Sequence, residues 1–242
     1  MKSFELLYLL AEPFMHPLYR IVRKKLLSIL ESYEHKPDIL DVGGRKSHYT
    51  TGIRANVTIT DLPRETEVQR KKNLGINKQI IEQTYGRRSN VHRILFDDMT
   101  QSSFRDNSFD CIIAVEVLEH VEKDALFVSE VKRVLKPCGH FLFTTPNGEY
   151  FDIKQVNNPN NKRFYSRKQL SLLISPFLSS VNVECVIPYS TFRRIGKKPW
   201  SVKHPFQTGL SMIGNLISYF ESTKLLRYNP QGTLHLIGTA KK

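Results

Sequence analysis

The sequence predicts an α/β fold, in which a doubly wound, mostly parallel, seven-stranded sheet carries an N-terminal helix and an inserted cover segment. Two observations predict this fold. After Pro37, short apolar runs of β type alternate with helical patterns, which is typical of a parallel sheet covered on both faces. The 242 residues, 40% of them hydrophobic, are also enough for one domain with a sizeable core.

The N-terminal segment, residues 1–37, is predicted to be helical and to precede the main domain, residues 38–242. Across residues 17–33 apolar side chains recur at helical spacing among basic ones. We interpret this as a helix packed against the domain, with a basic lid or a membrane-surface helix as the alternative. The apolar run at 6–11 is followed by no small-residue cleavage pattern, so we interpret it as mature sequence.

The predicted strands are residues 39–42, 57–60, 91–96, 111–115, 140–145, 181–187 and 233–239. Two helices between them carry terminal signals. Residues 124–135 run up to Lys136-Pro137, a helix stop, and Ser166 with Gln169 forms a capping box before an apolar run.

The segment 188–232 is too long for a plain connection between two strands. It has no acidic residue before Glu221, and it interleaves basic with aromatic side chains. These residues are Arg193, Arg194, Lys197, Lys198 and Lys203, with Phe192, Trp200 and Phe206. We interpret the segment as an insertion that covers the substrate side of the domain.

The formal net charge of +13 favours anionic partners such as nucleotides, nucleic acid or acidic lipid. The three cysteines are widely spaced and lack metal-ligand spacing, which indicates a reducing compartment and a cytoplasmic protein. No apolar run reaches about 18 uncharged residues, so we expect no membrane-spanning segment. Oligomeric state is not encoded in any pattern that we identify.

Two turns carry candidate ligand-binding residues. The first predicted strand ends in Asp41, followed by Gly43 and Gly44, where backbone can approach a ligand closely. Twenty residues later the second strand ends in Asp61, a spacing that suits a nucleoside ribose. The alternatives are a turn that is merely tight and, for Asp61, a helix cap or turn residue beside Pro63.

The third element extends from Asp98 through DNSFD (106–110) and EVLEHV (116–121) to RVLKPCGHF (133–141). With these motifs, residues 39–147 resemble the class I S-adenosylmethionine-dependent methyltransferases, particularly the type 11 group. The resemblance implies a Rossmann-like fold and S-adenosyl-L-methionine as cofactor, with S-adenosylhomocysteine as product.

The resemblance also implies roles for individual residues. Asp41 and Gly43 would surround the methionine part of the cofactor, Asp61 would bind the ribose diol, and Leu62 would lie against the adenine. These roles are chemically sensible, because carboxylates accept hydrogen bonds from diols and apolar side chains suit a purine face.

Three further residues complete the implied cofactor site. Asp98 would accept a hydrogen bond from the adenine amino group, and Met99 would offer its backbone amide. Glu116 would line the sulfonium end. We favour Asp98 over its neighbour Asp97, because the count forward to Asp110 matches the family pattern.

The chain departs from the family in the first turn. The family pattern is D-x-G-x-G-x-G, whereas this chain has Arg45 and Ser47 at the last two glycine positions. Glycine at these two positions normally allows a positive φ or a close approach of the backbone to the ligand. Side chains hinder both, so we expect a reshaped turn.

His120, just after the fourth predicted strand, is the candidate general base, since a neutral imidazole can accept a proton from an acceptor hydroxyl. The alternative is a structural place for His120 under the following helix. Glu116, Glu119 and His120 would share one face if the chain is helical there, and the resemblance includes relatives that bind a divalent metal with these residue types. Among these relatives, the metal-dependent small-RNA 2′-O-methyltransferases have a further histidine downstream. This chain lacks that histidine, so we do not favour a metal.

Several aromatic side chains in loops could reach an acceptor, although most of them are expected to serve packing. They are His48, Tyr49, Tyr150, Phe151, Phe164 and Tyr165. The preferred function is methyl transfer to an oxygen or nitrogen of a small or lipid-like acceptor, with an anionic substrate suited to the basic insertion. The alternatives are an RNA methyltransferase and a non-catalytic scaffold that binds an anionic partner or a membrane surface.

Overall fold

A computed structural model describes residues 1–63, 75–150, 162–198, 200–224 and 232–242. The strands are β1 (Asp38–Val42), β2 (Asn56–Asp61), β3 (Val91–Phe96), β4 (Phe109–Val115), β5 (Leu135–Pro146), β6 (Ser179–Pro188) and β7 (Thr233–Lys241). The described α-helices are α1 (Ser3–Ala11), α2 (Pro17–Leu30), α3 (Lys78–Arg87), α4 (Asp124–Val134), α5 (Arg167–Ile174), α6 (Thr191–Gly196) and α7 (Pro205–Lys224).

The seven strands form one sheet in the order β3-β2-β1-β4-β5-β7-β6, and this confirms the predicted fold class. Neighbouring strands from β3 to β5 are parallel, whereas β7 is antiparallel to both β5 and β6. Val42 pairs with both Thr60 and Ala114, so β1, β2 and β4 end level with one another. The chain order reverses between β1 and β4, which creates the switch point where open α/β sheets bind ligands.

Apolar side chains fill both sides of this sheet. Helices α4 and α5 contribute to one core cluster, and α2 contributes to the other. In α2, Leu18, Val22 and Leu26 are buried at the spacing predicted from the sequence, so packing against the domain is confirmed. The helix ends at Leu30, three residues before the predicted end.

Strand β5 begins earlier than predicted, at Leu135 rather than at residue 140. Leu135 pairs with Phe109 before the register shifts, and Cys138 in this irregular stretch has φ of +63°. Proline and left-handed residues are rare inside regular strands. For this reason the sequence around Pro137 and Gly139 looks like a helix stop rather than the beginning of a strand.

The first part of segment 188–232 forms two helices, α6 and α7, which pack against each other. Helix α7 also contacts α2 and β6. Strand β6 is parallel to β5, because both pair antiparallel with β7, so Pro188 ends β6 at the same sheet edge where β1, β2 and β4 end. The α6–α7 pair therefore begins at the carboxyl edge of the sheet.

Candidate functional site

The carboxylate of Asp41, at the end of β1, is completely buried and faces the turn that follows it. It accepts hydrogen bonds from the hydroxyl groups of Ser47, Tyr49 (2.8 Å) and Thr50 (3.0 Å). Burial raises the pKa of Asp41, although these hydrogen bonds and the nearby Arg88 oppose the shift. The structure thus gives the Asp41 side chain a role inside the turn, where it braces the backbone.

The turn has the reshaped geometry expected from the missing glycines. Gly43 lies in the left-handed region at φ of +66°, and a Cβ added to Gly44 would lie 2.4 Å from Cγ of Asp41. Residues Gly44–Lys46 then form a 3₁₀ turn. Ser47 at the third glycine position donates from its hydroxyl to both Asp41 and the Gly44 carbonyl oxygen. Its side chain therefore stabilises the turn.

Two buried arginines from distant parts of the chain hold this region, and neither is among the residues predicted from the sequence. Arg88 donates to the Ser47 carbonyl oxygen (3.2 Å) and to the Thr50 hydroxyl (2.6 Å). Arg23 of α2 donates to the carbonyl oxygens of Tyr49 (3.1 Å) and Thr51 (2.7 Å). Only the fold brings these side chains to the turn, since nothing local in the sequence marks them.

The next strand ends in Asp61, which pairs with Phe96 of β3 and is partly exposed. Its carboxylate accepts a hydrogen bond from the amide of Leu62 at 2.8 Å. The Leu62 side chain is 51% exposed, an apolar group at the rim of the sheet. Asp61 and Leu62 therefore offer a carboxylate and an apolar surface side by side.

Strand β3 ends in a similar arrangement. Asp98 is exposed, and one carboxylate oxygen accepts from the amide and the hydroxyl of Thr100, both at 2.9 Å. Met99 beside it is buried. Asp97, the alternative to Asp98, instead accepts from the amide and hydroxyl of Ser103.

Glu116 directly follows β4 and takes a left-handed conformation at φ of +56°. The Thr144 hydroxyl donates to one Glu116 oxygen at 2.9 Å, and Nδ1 of His235 lies 3.2 Å from the other. His235 is near the start of β7, and because β7 is antiparallel to β5 this end lies at the carboxyl edge of the parallel strands. The sequence analysis missed His235; a histidine at the beginning of an apolar final strand was the available signal.

The chain is not α-helical over residues 116–120, so Glu116, Glu119 and His120 do not share one face of a helix. Leu118–His120 form a short 3₁₀ turn, whereas Glu116 directly follows strand β4. Glu119 is buried and His120 is exposed. Burial, together with the negative charge of Glu116, raises the pKa of Glu119 well above its usual range. In the described part of the chain, no group of three His, Cys, Asp or Glu side chains is arranged to hold a metal ion.

Most of the predicted loop aromatics serve packing. Tyr49 donates to Asp41, and the buried Tyr165 donates to Asp124 at 2.7 Å. His48 stacks on Tyr8, and Tyr150 packs against Tyr189. Phe164 is partly buried, and Phe151 lies outside the described residues.

Comparisons with known proteins agree with the fold. A family model described as a methyltransferase domain matches residues 40–143. A curated relative from Mycolicibacterium smegmatis (strain ATCC 700084 / mc(2)155), named a "Probable S-adenosylmethionine-dependent methyltransferase", is 31% identical over 99 residues. That match covers 41% of this chain and 38% of the relative, so the chain matches well under half of the relative's length.

Solved structures cover nearly the whole chain. A SAM-dependent methyltransferase from Archaeoglobus fulgidus has a TM-score of 0.58 at 14% identity, over 93% of this chain and 94% of that one. Haemonchus contortus phosphoethanolamine N-methyltransferase 2, in complex with S-adenosyl-L-methionine, has a TM-score of 0.60 at 15% identity, over 90% and 52%. These likenesses show a Rossmann-like fold. Among the described residues, no helix has the length and apolar character needed to cross a membrane.

Proposed function

We propose that this chain, whose residues 40–143 match the model of a methyltransferase domain, is an S-adenosylmethionine-dependent methyltransferase. It transfers the methyl group to an oxygen or nitrogen of a small or lipid-like acceptor and releases S-adenosylhomocysteine. One observation carries the proposal. Strand β2 ends in an aspartate, the neighbouring strand β3 is followed by one, and each aspartate lies beside an apolar residue. The left-handed Gly43 lies next to the end of β2.

The residues at these two strand ends fit an adenosine. Asp61 accepts hydrogen bonds from the ribose diol, and the exposed Leu62 side chain covers one face of the adenine. Asp98 accepts from the adenine amino group, and the Met99 amide donates to a ring nitrogen. A half-exposed leucine beside a carboxylate suits a ligand with one apolar face and one polar edge.

The methionine end of the cofactor lies between the first turn and the end of β4. Gly43 leaves room for close approach of the ligand, and Asp41 acts indirectly by holding the turn. The Glu116 carboxylate lies at the sulfonium end, where its negative charge favours a cation. When bound, the cofactor supplies an electrophilic methyl group on a sulfonium.

The protein's part in methyl transfer is to align the acceptor with that methyl group, to exclude water and, for a hydroxyl acceptor, to take a proton. His120 is the base proposed from the sequence, and it lies exposed on the 3₁₀ turn after β4. His235 is a second candidate, because its ring nitrogen lies beside Glu116. We assign the larger role to His235 on the strength of that contact.

Calorimetry tests the cofactor site. The wild-type chain is expected to bind S-adenosylmethionine and S-adenosylhomocysteine. Asp61→Ala should weaken both by about 100-fold, since two hydrogen bonds to a charged acceptor are lost. Asp106→Ala is the matched control, because it removes an exposed carboxylate that pairs with Arg133, and binding should stay within about threefold. The proposal fails if the wild type binds neither compound, or if Asp61→Ala binds as tightly as Asp106→Ala.

A further inference from the structure

Helix α7 exposes four large apolar side chains and buries small polar ones, the reverse of an ordinary surface helix. Its inward face is buried and consists of Ser211, Gly214, Asn215, Ser218 and Ser222. Phe206, Leu210, Ile213 and Phe220 recur at helical spacing on its outward side and are exposed.

Specific contacts fix this orientation. The Ser211 hydroxyl donates to the carbonyl oxygens of Gly196 (3.1 Å) and Lys198 (2.8 Å). The Asn215 amide donates to the Phe14 carbonyl oxygen at 3.1 Å, which joins α7 to the N-terminal segment. A Cβ at Gly214 would lie 2.8 Å from the backbone of α6, so a large side chain has no room there. The helix cannot turn its apolar side inward without losing these contacts.

The loop before the helix exposes two more apolar residues. The outer face, as we call it, consists of Trp200, Val202, Phe206, Leu210, Ile213 and Phe220. Val202 is 98% exposed and Phe206 is 81% exposed. Single exposed apolar residues are ordinary, whereas four at helical spacing on one helix, with two more in the loop that precedes it, indicate a binding surface.

Basic side chains lie close in sequence to the outer face. Arg194, Lys197, Lys198 and Lys203 are all exposed, and no acidic residue occurs between Glu184 and Glu221. A segment that exposes both apolar side chains and lysine and arginine complements an anionic bilayer, whose interior accepts the former and whose headgroups attract the latter. A tryptophan among them is typical of the interface between lipid and water.

We propose that the outer face binds the surface of an anionic phospholipid bilayer, with α7 lying in the plane of the interface. The occupant is a bilayer because aliphatic residues such as Val202 and Ile213 offer nothing to a nucleic acid, which would need stacking aromatics and phosphate contacts alone. Membrane binding does not depend on methyl transfer.

The position of the outer face in the fold has a further consequence, which rests on the proposed function. The segment that carries the outer face leaves β6 at Pro188, on the sheet edge that holds Asp61 and Glu116. A bilayer bound there would present a lipid headgroup near the methyl donor. We infer that the acceptor is a membrane lipid or a molecule dissolved in the membrane.

The chain contains its own probe, because Trp200 is the single tryptophan and lies in the outer face. The full-length protein is titrated without cofactor into vesicles of phosphatidylglycerol and phosphatidylcholine, and into pure phosphatidylcholine vesicles. With the anionic vesicles we expect a blue shift of the Trp200 emission and co-sedimentation, both at least tenfold weaker with pure phosphatidylcholine. Brominated lipids should quench Trp200.

Two variants separate the apolar from the charged contribution. Phe206→Ser should weaken vesicle binding by about tenfold or more, because it removes a largely exposed aromatic ring from the membrane contact. Lys198→Gln with Lys203→Gln should weaken it by about 25-fold at low salt, at about fivefold per charge near the surface. The matched control, Lys168→Gln with Leu172→Ala on α5, removes an exposed lysine and an exposed leucine from the opposite side of the sheet and should change binding by less than twofold.

Three outcomes overturn the proposal. The first is an unchanged Trp200 spectrum with anionic vesicles at low salt. The second is a concentration-dependent dimer, seen by analytical ultracentrifugation, that Phe206→Ser dissolves, since the face would then bind a second copy. The third is tighter binding of a uridine oligonucleotide that loses affinity in the lysine variant and keeps it in Phe206→Ser. None of these readouts uses the cofactor, so they are independent of the calorimetry with Asp61→Ala.

Discussion

The two halves of the molecule bury opposite kinds of side chain. In residues 38–146 apolar side chains fill the sheet, as in β4, and polar groups collect at the strand ends. In α6 and α7 polar groups such as Ser211 and Asn215 lie inside, and apolar groups such as Phe206 lie outside. The first half is arranged to hold a small ligand at one edge, whereas the second is arranged to present a surface.

The difference shows what a hydrophobic stripe can predict. A stripe on a helix normally marks the side that faces the core, and α2 follows this rule. In α7 the stripe faces solvent, because glycine, serine and asparagine allow closer packing with α6 than large apolar residues would. Where a helix has both an apolar stripe and a stripe of small polar residues, the packing partner decides which one is buried.

The sharpest test of the ligand-binding half is a change at His235. His235→Ala should reduce turnover by 100-fold or more, since a positioned base contributes about 10²–10⁴-fold. Cofactor binding should change much less than turnover does, because the side chain contacts Glu116 at the sulfonium end and neither of the aspartates assigned to the adenosine. Added imidazole should restore part of the lost turnover. The measurements are initial rates and calorimetry on the same preparation.

His120→Ala is the matched comparison, and we expect it to lose less than tenfold, because its side chain is exposed on the 3₁₀ turn. A larger loss for His120→Ala than for His235→Ala would reverse the assignment of the base. Equal losses without imidazole rescue in either variant would indicate that both histidines have structural roles.

How much the sequence revealed depends on how local each feature is. The strand ends at Asp61, Asp98 and Glu116 could be located because alternating strands and helices have readable periods. The contacts of Asp41 could not, since Arg88 comes from another part of the chain. Glu116 and Glu119 do not share a helical face, because a left-handed residue interrupts what looks like a helix in the sequence.

Glycine substitutions compare packing in the two halves. Gly238→Ala should lower the free energy of unfolding by about 2 kcal/mol, because overfilling a packed core forces the surrounding groups apart. Its new Cβ would lie 2.0 Å from the ring of Phe143 on the neighbouring strand. Gly209→Ala in α7 should raise it by about 0.5–1 kcal/mol, since alanine favours a helix and the space there is open. Urea unfolding measures both; a stabilising Gly238→Ala would contradict the packing of β7 on β5.

The effect expected from a change at Ser47 depends on pH. Ser47→Ala removes one hydroxyl donor from the buried Asp41 carboxylate, which should lower the free energy of unfolding by about 1 kcal/mol at pH 7. Burial already raises the pKa of Asp41, so the folded protein holds the proton to a higher pH than the unfolded chain does. A carboxyl group whose pKa is raised by folding stabilises the folded state at pH values below its unfolded pKa of about 4. This stabilisation is lost as the pH rises through its folded pKa. The variant raises that pKa further, so its deficit should be largest at pH 7 and shrink towards pH 4, where Asp41 becomes neutral. A deficit of the same size at both pH values in urea unfolding would mean that Ser47 acts on the Gly44 backbone alone.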